Sequence, residues 1–336
     1  MGRFITIKDV AERAGTSCCT VSYVLSGKEG RYISAETRAR VEKAVKELNY
    51  VKSRSASVLK GEKTNLIAII VPQFDNLFFT RIVSFAEKVL VKNGYDIVIF
   101  NTSDNHEREM ENIHRAMQLR VDGVIITPTP QGSEALKMLD DISIPYIVAD
   151  RKINHTSTYA YVVSDNYSAG RLAAKRLLDA GHRCIGYVGW ESGLSCLEER
   201  RQAILDVYGS SGTVITEYAP LSFHDGYLAT ERLISEHPDV SAIIYGFNLQ
   251  AGGGIKYLYE KGISIPSDLS AVIIGTPQWT YVGGEFDRIY MGERELGNEA
   301  AQSLLALIAG VKPKDEIHYL QECHITEGFT VERRSV

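Results

Sequence analysis

The sequence predicts an α/β protein, with a small three-helix domain at the N-terminus, a short connecting segment, and then two doubly wound parallel lobes. Three observations carry that expectation. The first 50 residues contain three stretches with helical apolar spacing, the first two separated by a glycine. From Asn65 onward, short β-branched runs alternate with helix-like stretches. At 336 residues and 44% hydrophobic, the chain can build two or three domains with ordinary cores.

The elements follow in order. Thr6 suits a helix N-cap, and Asp9 three residues on approximates a capping box, with Asp in place of Glu or Gln. Ile7, Val10, Ala11 and Ala14 share one helical face. Gly15 supplies a tight turn, Ser17 caps a second helix, and Val21, Val24 and Leu25 give that helix its apolar side. Cys18, Cys19, Ser22 and Tyr23 then point outward. A short helix propped across a glycine turn is the geometry of a helix-turn-helix, whose second helix offers its first residues to base edges in the major groove. The plainer alternative is an ordinary helical hairpin. Ser34 begins a third helix over about residues 35–48, with Val41, Val45 and Leu48 buried and Asn49 as its stop. Residues 53–63, SRSASVLKGEK, read from composition as a linker, since Val58 and Leu59 are their only sizeable apolar side chains.

Beyond them, LIAIIV (66–71), DIVIF (96–100), VDGVIIT (121–127), IPYIVAD (144–150), CIGYVG (184–189), TVITEY (213–218), SAIIYG (241–246) and LSAVIIG (269–275) are the expected strands. Helical spacing fills 77–93, 105–118, 166–180, 197–208, 225–236 and 250–261. Ligands of doubly wound sheets bind beyond the carboxyl ends of the strands, so two such lobes facing each other make a cleft. Gly252, Gly253 and Gly254 have the wrong spacing for a phosphate loop and fall in a helical stretch, which they either loosen or let pack closely.

Charge divides the chain. Residues 1–60 carry 12 Lys and Arg against 6 Asp and Glu, and the remainder carries 25 against 36. A basic head on an acidic body suits polyanion binding by the head. Cys18, Cys19, Cys184, Cys196 and Cys323 are odd in number and form no CxxC, which argues against a disulfide framework and a structural zinc. No metal or cofactor is expected. Neither a secretory leader nor a run of about 18 apolar residues is found, so no membrane span is expected and a cytoplasmic location is. Doubly wound folds host many enzymes, but GxSxG, HExxH and GxxxxGKS/T are all missing and the eight histidines are scattered, so an enzyme is not expected.

Several joined segments, in order, resemble the lactose-repressor (LacI/GalR) family of bacterial transcription regulators: TIKDVAERAG, TVSYVLSG, TRARVEKAVKELNY, IAIIVP, NGYDIVIFNT, VDGVIITP, VSDNYSAGRLAAKRLLDAGHRCIGYVG, KGISIPSDLS and ELGNEAAQSLL. The resemblance covers nearly the whole chain. It implies a helix-turn-helix domain over 1–51, a hinge helix or linker over 52–63, and a two-lobed effector-binding and dimerisation region over 64–336 resembling a periplasmic-binding-protein fold. The first lobe would take about 64–162 and 292–323, the second about 163–291 and 324–336. The implied function is a sequence-specific regulator, most simply a repressor, that binds a palindromic operator as a homodimer and answers to a small molecule in the cleft. The alternative is a regulator controlled by a protein partner, or one without a ligand.

The resemblance also implies site residues. The DNA-binding set is Thr6, Ser17, Cys18, Cys19, Thr20, Ser22, Tyr23, Arg31, Tyr50, Ser53, Arg54, Ala56, Leu59 and Lys60. Cys18 and Cys19 fall at the two positions that most determine operator choice. A thiol can touch a thymine methyl but cannot make a bidentate bond. Tyr23 stands where an arginine usually bonds a guanine, which implies a shifted preference at that base pair. Residues 53–60 match a segment that folds on DNA and inserts a leucine, here Leu59, into the minor groove. Lys52 replaces a common proline before it. The implied effector set is Phe74, Asp75, Phe78, Asp150, Arg200, Phe223 (or Leu221 in its place), Phe247, Asn248 and Gly275. Many sugar-responsive members carry Asn-Asp after the strand ending YG and Gly-x-Asp after the next, where this chain has Phe247-Asn248 and Ile274-Gly275-Thr276. A less polar wall leaves sugar hydroxyls unpaired, which points away from a standard hexose or pentose.

Overall fold

The computed structural model describes residues 5–26, 33–51, 63–153, 160–277, 285–311 and 318–334. The chain forms two compact units, Met1–Thr64 and Asn65–Val336.

The first unit holds α1 (Ile7–Ala14), α2 (Cys18–Ser26) and α3 (Ala35–Glu47). A reciprocal box starts α1: the Thr6 N–H donates to Asp9 Oδ2 at 2.7 Å, and the Asp9 N–H donates to Thr6 Oγ1 at 3.4 Å. Aspartate is one methylene shorter than glutamate, yet it reaches. Gly15 ends α1 at φ 61, left-handed backbone that suits glycine, and its N–H returns to the α1 carbonyls. Ser17 Oγ accepts from the Thr20 N–H at 3.1 Å at the start of α2, and Ser34 Oγ accepts from the Thr37 N–H at 3.2 Å at the start of α3. Val10, Ala11, Ala14, Val21, Val24, Val41 and Ala44 are the buried core, with Leu25, Val45, Leu48 and Tyr50 packed at its edge. None of those fully buried side chains is larger than valine, so the caps matter for stability.

The second unit contains two six-stranded sheets. The first is built from β1 (Leu66–Val71), α4 (Leu77–Lys92), β2 (Asp96–Asn101), α5 (His106–Leu119), β3 (Gly123–Ile126), α6 (Ser133–Asp141), β4 (Tyr146–Ala149) and β5 (Ala160–Ser164). The second follows with α7 (Asn166–Asp179), β6 (Cys184–Gly189), α8 (Ser195–Tyr208), β7 (Thr213–Tyr218), α9 (Phe223–Glu236), β8 (Ala242–Tyr245), α10 (Asn248–Glu260), β9 (Ser270–Ile274) and β10 (Arg288–Tyr290). The chain then returns to the first sheet through α11 (Glu293–Ile308) and β11 (His318–Gln321), and ends in the second with β12 (His324–Thr326). Strand orders are β11-β5-β4-β3-β1-β2 and β12-β10-β9-β8-β6-β7. Every pairing is parallel except β10 with β12. Apolar runs in the sequence pointed to β1 to β4 and β6 to β9, but passed over β5 and the short strands β10, β11 and β12.

Each sheet is apolar on both faces and covered by helices on both. In the first lobe α4 and α11 cover one face and α5 and α6 the other. In the second, α7 and α8 face α9 and α10 across the sheet. Gly252–Gly254 lie inside α10 and are buried. A side chain on Gly253 would run into the backbone of Phe223 and Tyr227, so the triplet serves close packing of α10 on α9. The lobes are joined where the chain crosses between sheets, and there Ser164 Oγ donates to the Met291 carbonyl at 2.6 Å. No helix among the described residues is long and apolar enough to cross a membrane.

Candidate functional site

The head presents one polar face on α2. Ser17, Cys18, Cys19 and Tyr23 are exposed, and Thr20 and Ser22 are half-buried beside them. Thr6 is exposed as well, but its hydroxyl is held by Asp9 Oδ2 at 2.7 Å. Tyr50 packs against the core of the head. Arg31, Ser53, Arg54, Ala56, Leu59 and Lys60 lie outside the described residues.

The second unit holds a cavity, partly open to solvent, at the carboxyl ends of the strands of both sheets. The first lobe contributes Asn76, Phe78 and Phe79 after β1, and Asp150 and Arg151 after β4. The second contributes Trp190 after β6, Leu194, Cys196, Leu197 and Arg200 along α8, Leu221 after β7, Phe247 and Asn248 after β8, Ile274 and Gly275 at the end of β9, and Met291 after β10.

Arg200 is set by three contacts. Its Nε donates to Asn166 Oδ1 at 2.6 Å, Nη1 donates to the Gly246 carbonyl at 2.9 Å, and the guanidinium lies 5.2 Å from the Phe247 ring centroid. Gly170 lets α7 approach closely, because a side chain there would strike the Arg200 carbonyl. Those two bonds use two of the five guanidinium N–H donors. Arg151 is held differently. It pairs with both oxygens of Asp104, donates to the Pro128 carbonyl at 3.3 Å, and sits 5.7 Å from the Phe79 ring and 5.8 Å from that of Trp190. Since Phe79 belongs to one lobe and Trp190 to the other, Arg151 bridges the cleft.

Asp150 takes left-handed backbone at φ 69 and is buried, its carboxylate 3.9 Å from Arg151 Nε. Burial pushes its carboxyl above the usual range, while Arg151 and Arg200 pull it back. Burial likewise pushes the Cys196 thiol up to about 11, so it lines the cavity as a neutral thiol. Asn76 caps α4 by accepting from the Phe78 N–H at 3.1 Å, and the same Oδ1 accepts from Asn248 Nδ2 at 3.3 Å, joining the two lobes. Trp190 meets Phe247 edge to face at 6.3 Å. Thr276 turns away from the cavity: its hydroxyl accepts from Arg288 Nη1 at 3.2 Å.

Among the residues implied by the resemblance, Phe78, Asp150, Arg200, Phe247, Asn248 and Gly275 come together here. Phe74, Asp75 and Phe223 do not line the cavity. Phe74 and Asp75 are exposed in the loop before α4, and Phe223 is 46% exposed at the first position of α9. Leu221, two residues earlier, takes the place proposed for Phe223. Sequence reasoning missed Asn76, Phe79, Arg151, Trp190, Leu194, Cys196, Leu197, Ile274 and Met291. Arg151, Trp190, Ile274 and Met291 sit at or just after a strand end, and that position was the signal available for them. No group of three or more His, Cys, Asp or Glu that could hold a metal occurs among the described residues.

Comparison with known proteins gives two family matches. Residues 64–316 match the periplasmic binding proteins and sugar binding domain of LacI family, and residues 6–53 match the bacterial regulatory proteins, lacI family. The ribose operon repressor of Halalkalibacterium halodurans is 30% identical, over 94% of this chain and 93% of its own length. The HTH-type transcriptional repressor PurR of Pectobacterium atrosepticum is 29% identical, over 98% of this chain and 96% of its own. A solved LacI family transcriptional regulator from Silicibacter pomeroyi superposes with a TM-score of 0.84 at 28% identity, covering 98% of this chain and all of that one.

Proposed function

The chain belongs to the LacI family of bacterial regulatory proteins and is a DNA-binding transcriptional regulator that answers to a small molecule; from that premise we propose which ligand it reads and how. The ligand binds in the cavity between the two lobes. It has a ring or other apolar body, a hydrogen-bond donor for Asp150 and an acceptor for Arg200. The observation that carries this reading is the make-up of the cavity wall. Trp190, Leu194, Leu197, Leu221, Phe247, Ile274 and Met291 line it beside three charged side chains and two asparagines; Arg151 is paired with Asp104 and Asn76 is bonded to Asn248, which leaves Asp150 and Arg200 to face a ligand. A free hexose or pentose would leave several hydroxyls facing apolar side chains, at about 1–3 kcal/mol for each unpaired group. An aromatic or modified-glycoside ligand instead meets rings on Trp190 and Phe247.

The ligand acts by preferring one arrangement of the lobes, because it contacts both. As a homodimer the protein binds a palindromic operator, with α2 of each copy in the major groove. Catalysis has no part in this reading.

A thermal-shift screen of sugars, sugar phosphates, nucleobases and aromatic glycosides tests the cavity. A ligand at about 100 times its dissociation constant adds about 2.7 kcal/mol of stability. A hit confined to aromatic or modified compounds supports the proposal. A hit with a common free sugar overturns it, and silence across the panel favours control by a protein partner. Selection from a random duplex pool tests the DNA side. Tyr23→Arg should shift the selected sequence at a single base pair in each half-site, toward the preference that an arginine fork gives for guanine.

A further inference from the structure

Five cysteines are distributed unequally over the molecule. Cys184 and Cys323 are half-buried and Cys196 is buried, and burial pushes all three thiols up, Cys196 to about 11 and Cys323 to about 12. The Cys323 thiol is also occupied, donating to the Asp165 carbonyl at 3.4 Å. A buried, protonated thiol is a poor nucleophile. Cys18 and Cys19 are placed differently. Both are exposed, they are adjacent, and they begin α2 on the face that also carries Ser17 and Tyr23.

We propose that Cys18 and Cys19 form a thiol-modification site on the DNA-reading face, where a low-molecular-weight disulfide attaches and shuts off DNA binding. The proposal rests on the reading of α2 as the groove-entering helix. The thiolate of either cysteine attacks one sulfur of the disulfide RS–SR. A new S–S bond forms to the protein, the RS–SR bond breaks, and the second sulfur leaves as RS⁻. The cysteine sulfur is oxidised, the leaving sulfur is reduced, and the thiol proton goes to solvent.

Helix geometry preserves the adduct. Successive side chains on a helix diverge by about 100°. Their Cα atoms lie about 3.8 Å apart, below the range of about 4.4–6.8 Å that a disulfide requires. The second thiol therefore cannot displace the adduct by closing a ring while α2 stays folded. A glutathionyl group adds a tripeptide with net negative charge where the helix must meet a phosphate-lined groove, so bulk and charge both oppose binding.

The test treats the full chain with oxidised glutathione, maps adducts by peptide mass spectrometry, and measures affinity for a duplex that the reduced protein has itself selected. The expected result is an adduct on Cys18 or Cys19, an affinity loss of about tenfold or more, and recovery with dithiothreitol. Bound duplex should also slow modification of these two residues. Adducts confined to Cys184, Cys196 or Cys323 would overturn the proposal, as would an adduct on α2 that leaves affinity unchanged. A reduced protein that selects no duplex would overturn the DNA-reading premise, a separate failure. A Cys18→Ser/Cys19→Ser double variant, compared with itself before and after treatment, should show no change. Each single variant should keep its sensitivity through the remaining thiol. Loss of binding by the treated double variant overturns the proposal.

Discussion

The two lobes each bring one arginine to the cavity, and the two are held in different ways. Arg151, from the first lobe, is 4% exposed, paired with Asp104 and bonded to the Pro128 carbonyl. Arg200, from the second, is 7% exposed and bonded only to neutral acceptors, Asn166 Oδ1 and the Gly246 carbonyl. The Arg151 charge is therefore already answered inside the first lobe. That of Arg200 has no carboxylate in direct contact among the described residues. A neutral anchor orients a guanidinium without cancelling its charge, which suits ligand recognition, whereas the paired arginine holds the end of a strand in place.

Four substitutions break or sharpen that contrast. Arg151→Ala should have the largest effect on the fold, leaving Asp104 without its partner and costing about 2–4 kcal/mol, read from the denaturant midpoint. Arg200→Lys keeps the charge but loses the fork. Ligand affinity should fall about tenfold or more, with a smaller change in stability, measured by titration calorimetry with a ligand found in the thermal screen. Comparable stability losses at the two positions would erase the distinction.

Asp150→Asn probes the acid between them. Burial raises the folded-state pKa of this carboxyl above its unfolded value. The wild type is thus most favoured at low pH and loses stability as pH rises through the folded pKa. Asparagine also tolerates left-handed backbone and has no such dependence, so the variant should gain on the wild type as pH rises, while binding ligand more weakly. Melting curves from pH 4 to 8 check the sign. Asn248→Ala is the smallest change. It removes the 3.3 Å bond to Asn76 across the cleft, worth about 1 kcal/mol. It should loosen lobe closure, read as faster protease cleavage near the crossing segments.

Legibility in the sequence followed the range of the interaction. The head was readable in detail, since its caps and apolar faces are set by residues three or four apart, and Thr6–Asp9 and Ser34–Thr37 occur as spacing suggests. Central strands were readable as β-branched runs. Arg200 was visible only through family resemblance. Arg151 was passed over, because its role depends on Asp104, 47 residues earlier, and on Trp190 from the other lobe. Phe223 looked as suitable as Leu221, yet a two-residue offset at the start of α9 turned one outward and the other in.

By itself the sequence determined the helices of the head and the alternation that builds two parallel sheets. These are properties of neighbours along the chain, where periodicity and side-chain chemistry act directly. The tertiary structure alone decided which arginine is neutralised, which aromatic rings meet, and which asparagines join the lobes. Asn76 and Asn248 are 172 residues apart. Crossing of the chain between the two sheets brings them together, and no local pattern encodes a contact at that distance.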